Sequence, residues 1–115
     1  MLSADLKMFT GTEQWFRHPL SSNFLYTDGV KFFAEHCGGG ALWFLDILAT
    51  ELADLQETEE FMSITLNVVD RSAKIIADDG NGNVLWTKVI DFTDAEEGIW
   101  KFFFTNNVLL LPSEY

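Results

Sequence analysis

Met62-Ser63-Ile64-Thr65-Leu66-Asn67-Val68 alternates apolar and polar residues without a break. Successive side chains of a strand point to opposite faces, so this period of two predicts a strand half-buried through Met62, Ile64, Leu66 and Val68. Working outward, Asp70-Arg71 makes a tight turn into a second strand, Ser72 to Asp78. Asp79-Gly80-Asn81-Gly82-Asn83 is a second turn, because Gly and Asn accept the positive φ that hairpin turns require. Val84 to Phe92 then predicts a third strand, making the middle of the chain an antiparallel meander.

On either side the period lengthens. Asp28 is placed to cap a helix through Cys37, whose Val30, Phe33, Ala34 and Cys37 follow i, i+3, i+4, i+7. Gly38-Gly39-Gly40 breaks it and reads as a flexible helix–helix connector; no P-loop Lys or Ser/Thr follows it. From Ala41 to Leu55 a clearer helix sets Ala41, Leu45, Leu48, Leu52 and Leu55 on one face and Asp46, Glu51 and Asp54 on the other. Trp43 and Ile47 fall on the acidic side. Either they anchor an interface or another element covers them.

Thr93 followed by Glu96 makes a capping box, predicting a helix through Phe104 with Ile99, Trp100 and Phe103 inward. Val108 to Leu111 is a last strand, stopped by Pro112. At the other end, Leu2, Leu6 and Phe9 give a weak helical spacing ended by Gly11. Trp15 to Tyr26, interrupted by Pro19, reads as irregular or edge-strand structure. The expected fold is α+β: an antiparallel sheet of about four strands with two to four helices on one face, in a single domain spanning residues 1–115.

The 115 residues carry 18 Asp and Glu against seven Lys and Arg, yet aromatics make up 15%, more than a disordered acidic tail contains. Scattered cations exclude direct nucleic-acid binding through phosphates. No apolar run is long enough to span a membrane, no signal-peptide layout opens the chain, and Cys37 stands alone; a cytoplasmic protein is expected.

Chemistry-bearing patterns are sparse. Asp79, Asn81 and Asn83 occupy the first, third and fifth positions of an EF-hand-like loop, but Val84 and Ile90 replace its Gly and its bidentate Glu. His36 and Cys37 are helical neighbours that do not face each other. An enzyme using His18, His36 or Cys37 needs the fold to gather them. Two His and one Cys match no zinc spacing, and no cofactor is implied.

Charge is the stronger signal. Between Lys31 and Arg71 lie eight carboxylates and no Lys or Arg: Glu35, Asp46, Glu51, Asp54, Glu57, Glu59, Glu60 and Asp70. Such a run either covers a solvated face or attracts a basic partner.

Gly11-Thr12-Glu13-Gln14-Trp15-Phe16-Arg17-His18, Leu25-Tyr26-Thr27-Asp28-Gly29-Val30 with Phe33-Ala34-Glu35, Asp79-Gly80-Asn81-Gly82-Asn83-Val84-Leu85 and Leu109-Leu110-Leu111-Pro112-Ser113-Glu114-Tyr115 occur together. In these strings the chain resembles a family of short uncharacterised proteins carried by bacterial phages, plasmids and other mobile elements. Cys37-Gly38-Gly39-Gly40 departs from that pattern. The resemblance implies a setting and no chemistry. Small acidic proteins of such elements are often inhibitors of host defence, some resembling nucleic-acid mimics. By that analogy the expectation is a non-enzymatic, anti-CRISPR-type inhibitor. It would engage a basic surface of a host complex through Asp46, Glu51, Asp54, Glu57, Glu59 and Glu60, with Trp43 as anchor. The alternative is an accessory module binding through apolar surface, with homodimerisation open.

Overall fold

The computed structural model describes residues 6, 15–19 and 24–115. Apart from Leu6, the expected helix from Leu2 to Phe9 lies outside them. Within them, seven strands form one sheet in the order β1-β2-β7-β6-β3-β4-β5. The strands are β1 (Trp15–Arg17), β2 (Leu25–Thr27), β3 (Phe61–Val69), β4 (Ser72–Asp78), β5 (Val84–Ile90), β6 (Gly98–Thr105) and β7 (Val108–Leu110). Every neighbouring pair is antiparallel except β2 and β7, which run parallel with Leu25 opposite Val108. Two α-helices, α1 (Asp28–His36) and α2 (Leu42–Ile47), precede β3. The expected fold is therefore corrected. The sheet has seven strands in mixed orientation instead of about four antiparallel ones, and strand outweighs helix.

The alternation in β3 does what its period requires. Met62, Ile64, Leu66 and Val68 are buried, as are Ala73, Ile75 and Ala77 of β4, and they meet Phe33, Phe44, Leu45, Leu48 and Leu52 from the helical layer. Asp70 and Arg71 adopt positive φ in the β3–β4 turn, and Asn106 and Asn107 do the same between β6 and β7. Two positive-φ central residues match the right-handed twist of hairpin strands.

The largest departure is β6. Thr93 to Phe104 is not a helix: residues 91–97 are irregular and Gly98–Thr105 is an eight-residue strand. The aromatic spacing fits both periods, but in the fold Trp100, Phe102 and Phe104 turn inward while Ile99 and Lys101 are exposed. β-branched and aromatic residues pack well on a pleated surface, and two neighbouring strands supply partners that a surface helix would lack. Thr93 still behaves as a local cap, its hydroxyl accepting from the Ala95 N–H at 3.1 Å. The expected capping box is not made, because the Thr93 N–H pairs with the Arg71 carbonyl and no helix follows. Within the irregular-to-edge stretch Trp15 to Tyr26, the described residues form β1 and part of β2, with residues 20–23 outside the description.

The helical layer is corrected in three places. Thr27, not Asp28, caps α1, its hydroxyl accepting from the Val30 N–H. Ala41 to Leu55 is not one α-helix; α2 opens into a wider turn over Leu48–Leu52, where the Ala53 N–H reaches the Leu48 carbonyl, and tightens into a 3-10 turn over Ala53–Glu57. The triple glycine is a packing device as much as a connector. At Gly38, with φ +60°, a Cβ would collide with the Asp94 carbonyl oxygen and lie 2.7 Å from the Glu96 nitrogen; at Gly39 it would collide with the Asp94 carboxylate. Only residues without Cβ let the 91–97 segment approach this closely.

Two stability measurements check this account. Phe102→Ala empties the junction of both helices with β6 and is expected to cost about 3–5 kcal/mol by urea unfolding. Gly38→Ala combines left-handed backbone with a backbone collision and is expected to cost roughly 1–3 kcal/mol; an unchanged urea midpoint would contradict the close approach.

Candidate functional site

The acidic stretch sits on the changing helical run. Burial of Phe44, Leu45, Leu48, Ala49, Leu52 and Ala53 fixes the inward side, leaving Asp46, Glu51, Asp54 and Glu57 exposed. The Thr50 hydroxyl donates to the Asp46 carbonyl at 2.8 Å, just where the winding widens. Such wider turns are rare and recur at functional sites.

The carboxylates are not equivalent. Asp46 accepts from the buried His18, whose Nε2 lies 2.7 Å from Oδ1. Glu51 pairs with Lys88 of β5 at 2.7 Å. Among the described residues, Asp54, Glu57, Glu59 and Glu60 form no ion pair. Glu59 is half-buried while Asp54, Glu57 and Glu60 are exposed. The expected six-residue acidic group therefore divides into two positioned carboxylates and four uncompensated ones.

Trp43 resolves the other oddity. It is half-buried and, with Ile47, Ile90, Phe92, Thr93 and Asp94, lines a cleft of about 430 Å³ between α2 and the end of β5. Its indole meets Phe44 edge-on, at 6.3 Å between centroids. Phe92, missed in the sequence, is 69% exposed at the mouth. The signal was an apolar residue past the last paired position of a strand. A second hollow of about 630 Å³ shares Phe92, Thr93 and Asp94 and adds Asp70, Arg71 and Glu97. The exposed apolar wall is thus bordered mainly by carboxylates.

His18, His36 and Cys37 have different settings. His18 hydrogen-bonds Asp46 and meets Phe24 edge-on. Nδ1 of the exposed His36 lies 2.9 Å from the Phe32 carbonyl. Cys37 is buried, its Sγ 4.0 Å from the Glu96 carbonyl oxygen, and burial pushes the thiol up to about 11. A thiol held protonated is a poor nucleophile. Among the described residues no group of three or more His, Cys, Asp or Glu is disposed to hold a metal ion. In the glycine-rich turn, Asp79 accepts from the Asn81 and Asn83 N–H groups and from Asn83 Nδ2, which together hold its carboxyl below the usual range. Its oxygens are spent on the turn.

A second polar site has no counterpart in the sequence reading. Glu114, in the 3-10 turn Pro112–Glu114, accepts the Thr27 hydroxyl at 2.6 Å and the Leu111 N–H at 3.0 Å through Oε1, and the Gly29 N–H at 3.3 Å through Oε2. A Cβ on Gly29 would lie 2.7 Å from Glu114 Oε1, so a side chain there would have to displace the carboxylate. This carboxylate ties the last turn to the start of α1 across 87 positions, favourably placed at the helix N-terminus. Beside it, Trp15, Asn106, Tyr115 and Thr27 help line a cleft of about 380 Å³. A lone carboxylate beyond an apolar strand was the only hint.

Burial raises the Glu114 carboxyl above the ordinary glutamate value, with Asp28 adding to the rise and the Thr27 and Leu111 donors opposing it. The folded state then holds the proton more tightly than the unfolded chain, so this group's contribution is full below the unfolded value and is lost as pH rises through the folded one. Glu114→Gln is expected to remove that falling limb just above the ordinary glutamate range. Urea unfolding at stepped pH checks it, and an unaltered pH profile in the variant would contradict it.

No helix of the described residues is long and apolar enough to cross a membrane. No curated protein matches the chain, and no solved structure does. A family model matches residues 1–115. The chain belongs to that family, described as a family of unknown function (DUF6876).

Proposed function

We propose that the chain is a non-enzymatic interaction protein of a mobile element, an anti-CRISPR-type inhibitor that engages a basic nucleic-acid-binding surface of a host defence complex. The observation that carries this reading is one-signed charge on a helical run whose other end borders exposed apolar surface. Asp54, Glu57, Glu59 and Glu60 have no ion-pair partner among the described residues, and the same helical run forms the Trp43 and Ile47 wall of a cleft open at Phe92. Aromatic anchors bounded by charge supply affinity at the centre of an interface and steering at its rim. Fixed carboxylates compete for the Lys and Arg that line nucleic-acid channels.

Asp46 and Glu51 belong to this reading as positioned charges, held by His18 and Lys88. A second reading, an accessory module docking through apolar surface, with homodimerisation open, is favoured by exposed apolar side chains such as Phe92, Val89 and Ile99.

The test is capture from host lysate on the tagged protein, washed at stepped ionic strength. Basic proteins are expected at low salt. The triple variant Asp54→Lys, Glu57→Lys, Glu60→Lys should lose them by on the order of tenfold or more, with a flatter salt dependence and unchanged thermal unfolding. Capture that survives both the charge reversal and high salt would sink this reading and favour the second.

A further inference from the structure

Strand β5 closes the sheet at one side, paired with β4 and with nothing beyond it among the described residues. Every second residue of such a strand points its N–H and C=O away from the sheet, a template for another extended chain. The opposite edge, β1, has three residues; β5 has seven, Val84-Leu85-Trp86-Thr87-Lys88-Val89-Ile90. Proteins usually blunt such an edge with proline, charge or a bulge. Here there is no proline, the irregularity is confined to the Ala77/Asp78 end, and Lys88 is held by Glu51 of the helical layer.

The cleft described above opens at the Ile90 end of this same strand. Trp43 and Ile47 form its helical wall, Ile90 and Phe92 its strand wall. It is also bordered by negative charge: Asp94 lines it and the exposed Asp91 follows β5 directly. Arg71, whose carbonyl accepts from the Thr93 N–H at 2.8 Å, and Lys74, opposite Val89, are the cations that β4 and its turn place at this end.

We propose that β5 and this cleft together form a strand-addition site for an extended segment of alternating apolar and basic residues. The segment pairs with β5 as an eighth strand, sets its apolar side chains between the α2 wall and Ile90 and Phe92, and offers its cations to Asp91 and Asp94. The backbone bonds supply affinity and the alternate pockets supply selectivity. A second copy of the chain is disfavoured as occupant because each carries a formal charge of −11. The inference rests on the reading of the protein as a binder of basic partners and deepens it by naming how the partner docks.

The probe is a fluorescein-labelled ten-residue peptide of alternating valine and lysine, titrated by polarisation and followed by amide hydrogen exchange. Binding should slow exchange at alternate β5 amides by about tenfold or more. N-methylation of the central residues, which keeps charge and side chains but removes the donors, should weaken binding about tenfold, or about 1.4 kcal/mol. Phe92→Ala, an exposed position that leaves the core intact, should weaken it as well. Equal binding of the N-methylated peptide, or unchanged β5 exchange in the bound state, overturns strand addition. Protection of β5 on self-association without peptide assigns the edge to a second copy and also overturns it. If lysate capture depends on Asp54, Glu57 and Glu60 while β5 stays unprotected, the basic-partner reading stands and only strand addition fails.

Discussion

Three aromatic rings hold the two layers together. Phe102 of β6 lies 4.9 Å from Phe33 of α1 and 5.0 Å from Phe44 of α2, while Phe33 and Phe44 meet edge-on at 6.1 Å. All three are fully buried. The triad fixes where α1 and α2 sit on the sheet, and so where the run after α2 leaves its exposed side. The inclination of Trp43 toward β5, the pairing of Glu51 with Lys88 and the seating of His18 against Asp46 depend on that placement. Edge-to-face rings tolerate little displacement, because the favourable contact joins one ring's positive edge to another's negative face. A helical layer that slid would lose the core contact and the cleft together.

Much of the middle of the chain was legible. Period two in Met62 to Val68, turn residues at Asp70-Arg71 and Asp79 to Asn83, and the period-3.6 stripe of α1 each state a local preference that the fold also needs. β6 was misread because Ile99, Trp100 and Phe103 satisfy a helical spacing while Trp100, Phe102 and Phe104 satisfy a strand. What decides between them is the pair of flanking strands β3 and β7, which a local window cannot see. The three-residue strands β1 and β2 are too short for any period to show. They pair with each other, and β2 joins the rest of the sheet only through β7, some eighty residues away.

The candidate site was legible in charge and not in geometry. The absence of cations between Lys31 and Arg71 is plain in the sequence. That Asp46 and Glu51 are held by His18 and Lys88, leaving Asp54, Glu57, Glu59 and Glu60 without ion pairs, is a tertiary fact. Trp43 among the carboxylates was the one local inconsistency. It lines a cleft with Ile47, Ile90 and Phe92. Phe92 could not be recognised as its counterpart while residues 93–104 read as a helix.

The pairing of β2 with β7 and the grip of Glu114 on Thr27 and Gly29 have a consequence for synthesis. Residues 15–36 are synthesised well before the strand that pairs with β2 and the carboxylate at the start of α1. The hairpins β3-β4 and β4-β5 join strands that are neighbours in sequence and can form without β7. The early segment has to wait, since closing so long a loop costs entropy that only the final contacts offset. A nascent chain halted before residue 108 would have β3 to β6 available to pair, with β1 and β2 cut off from the rest of the sheet.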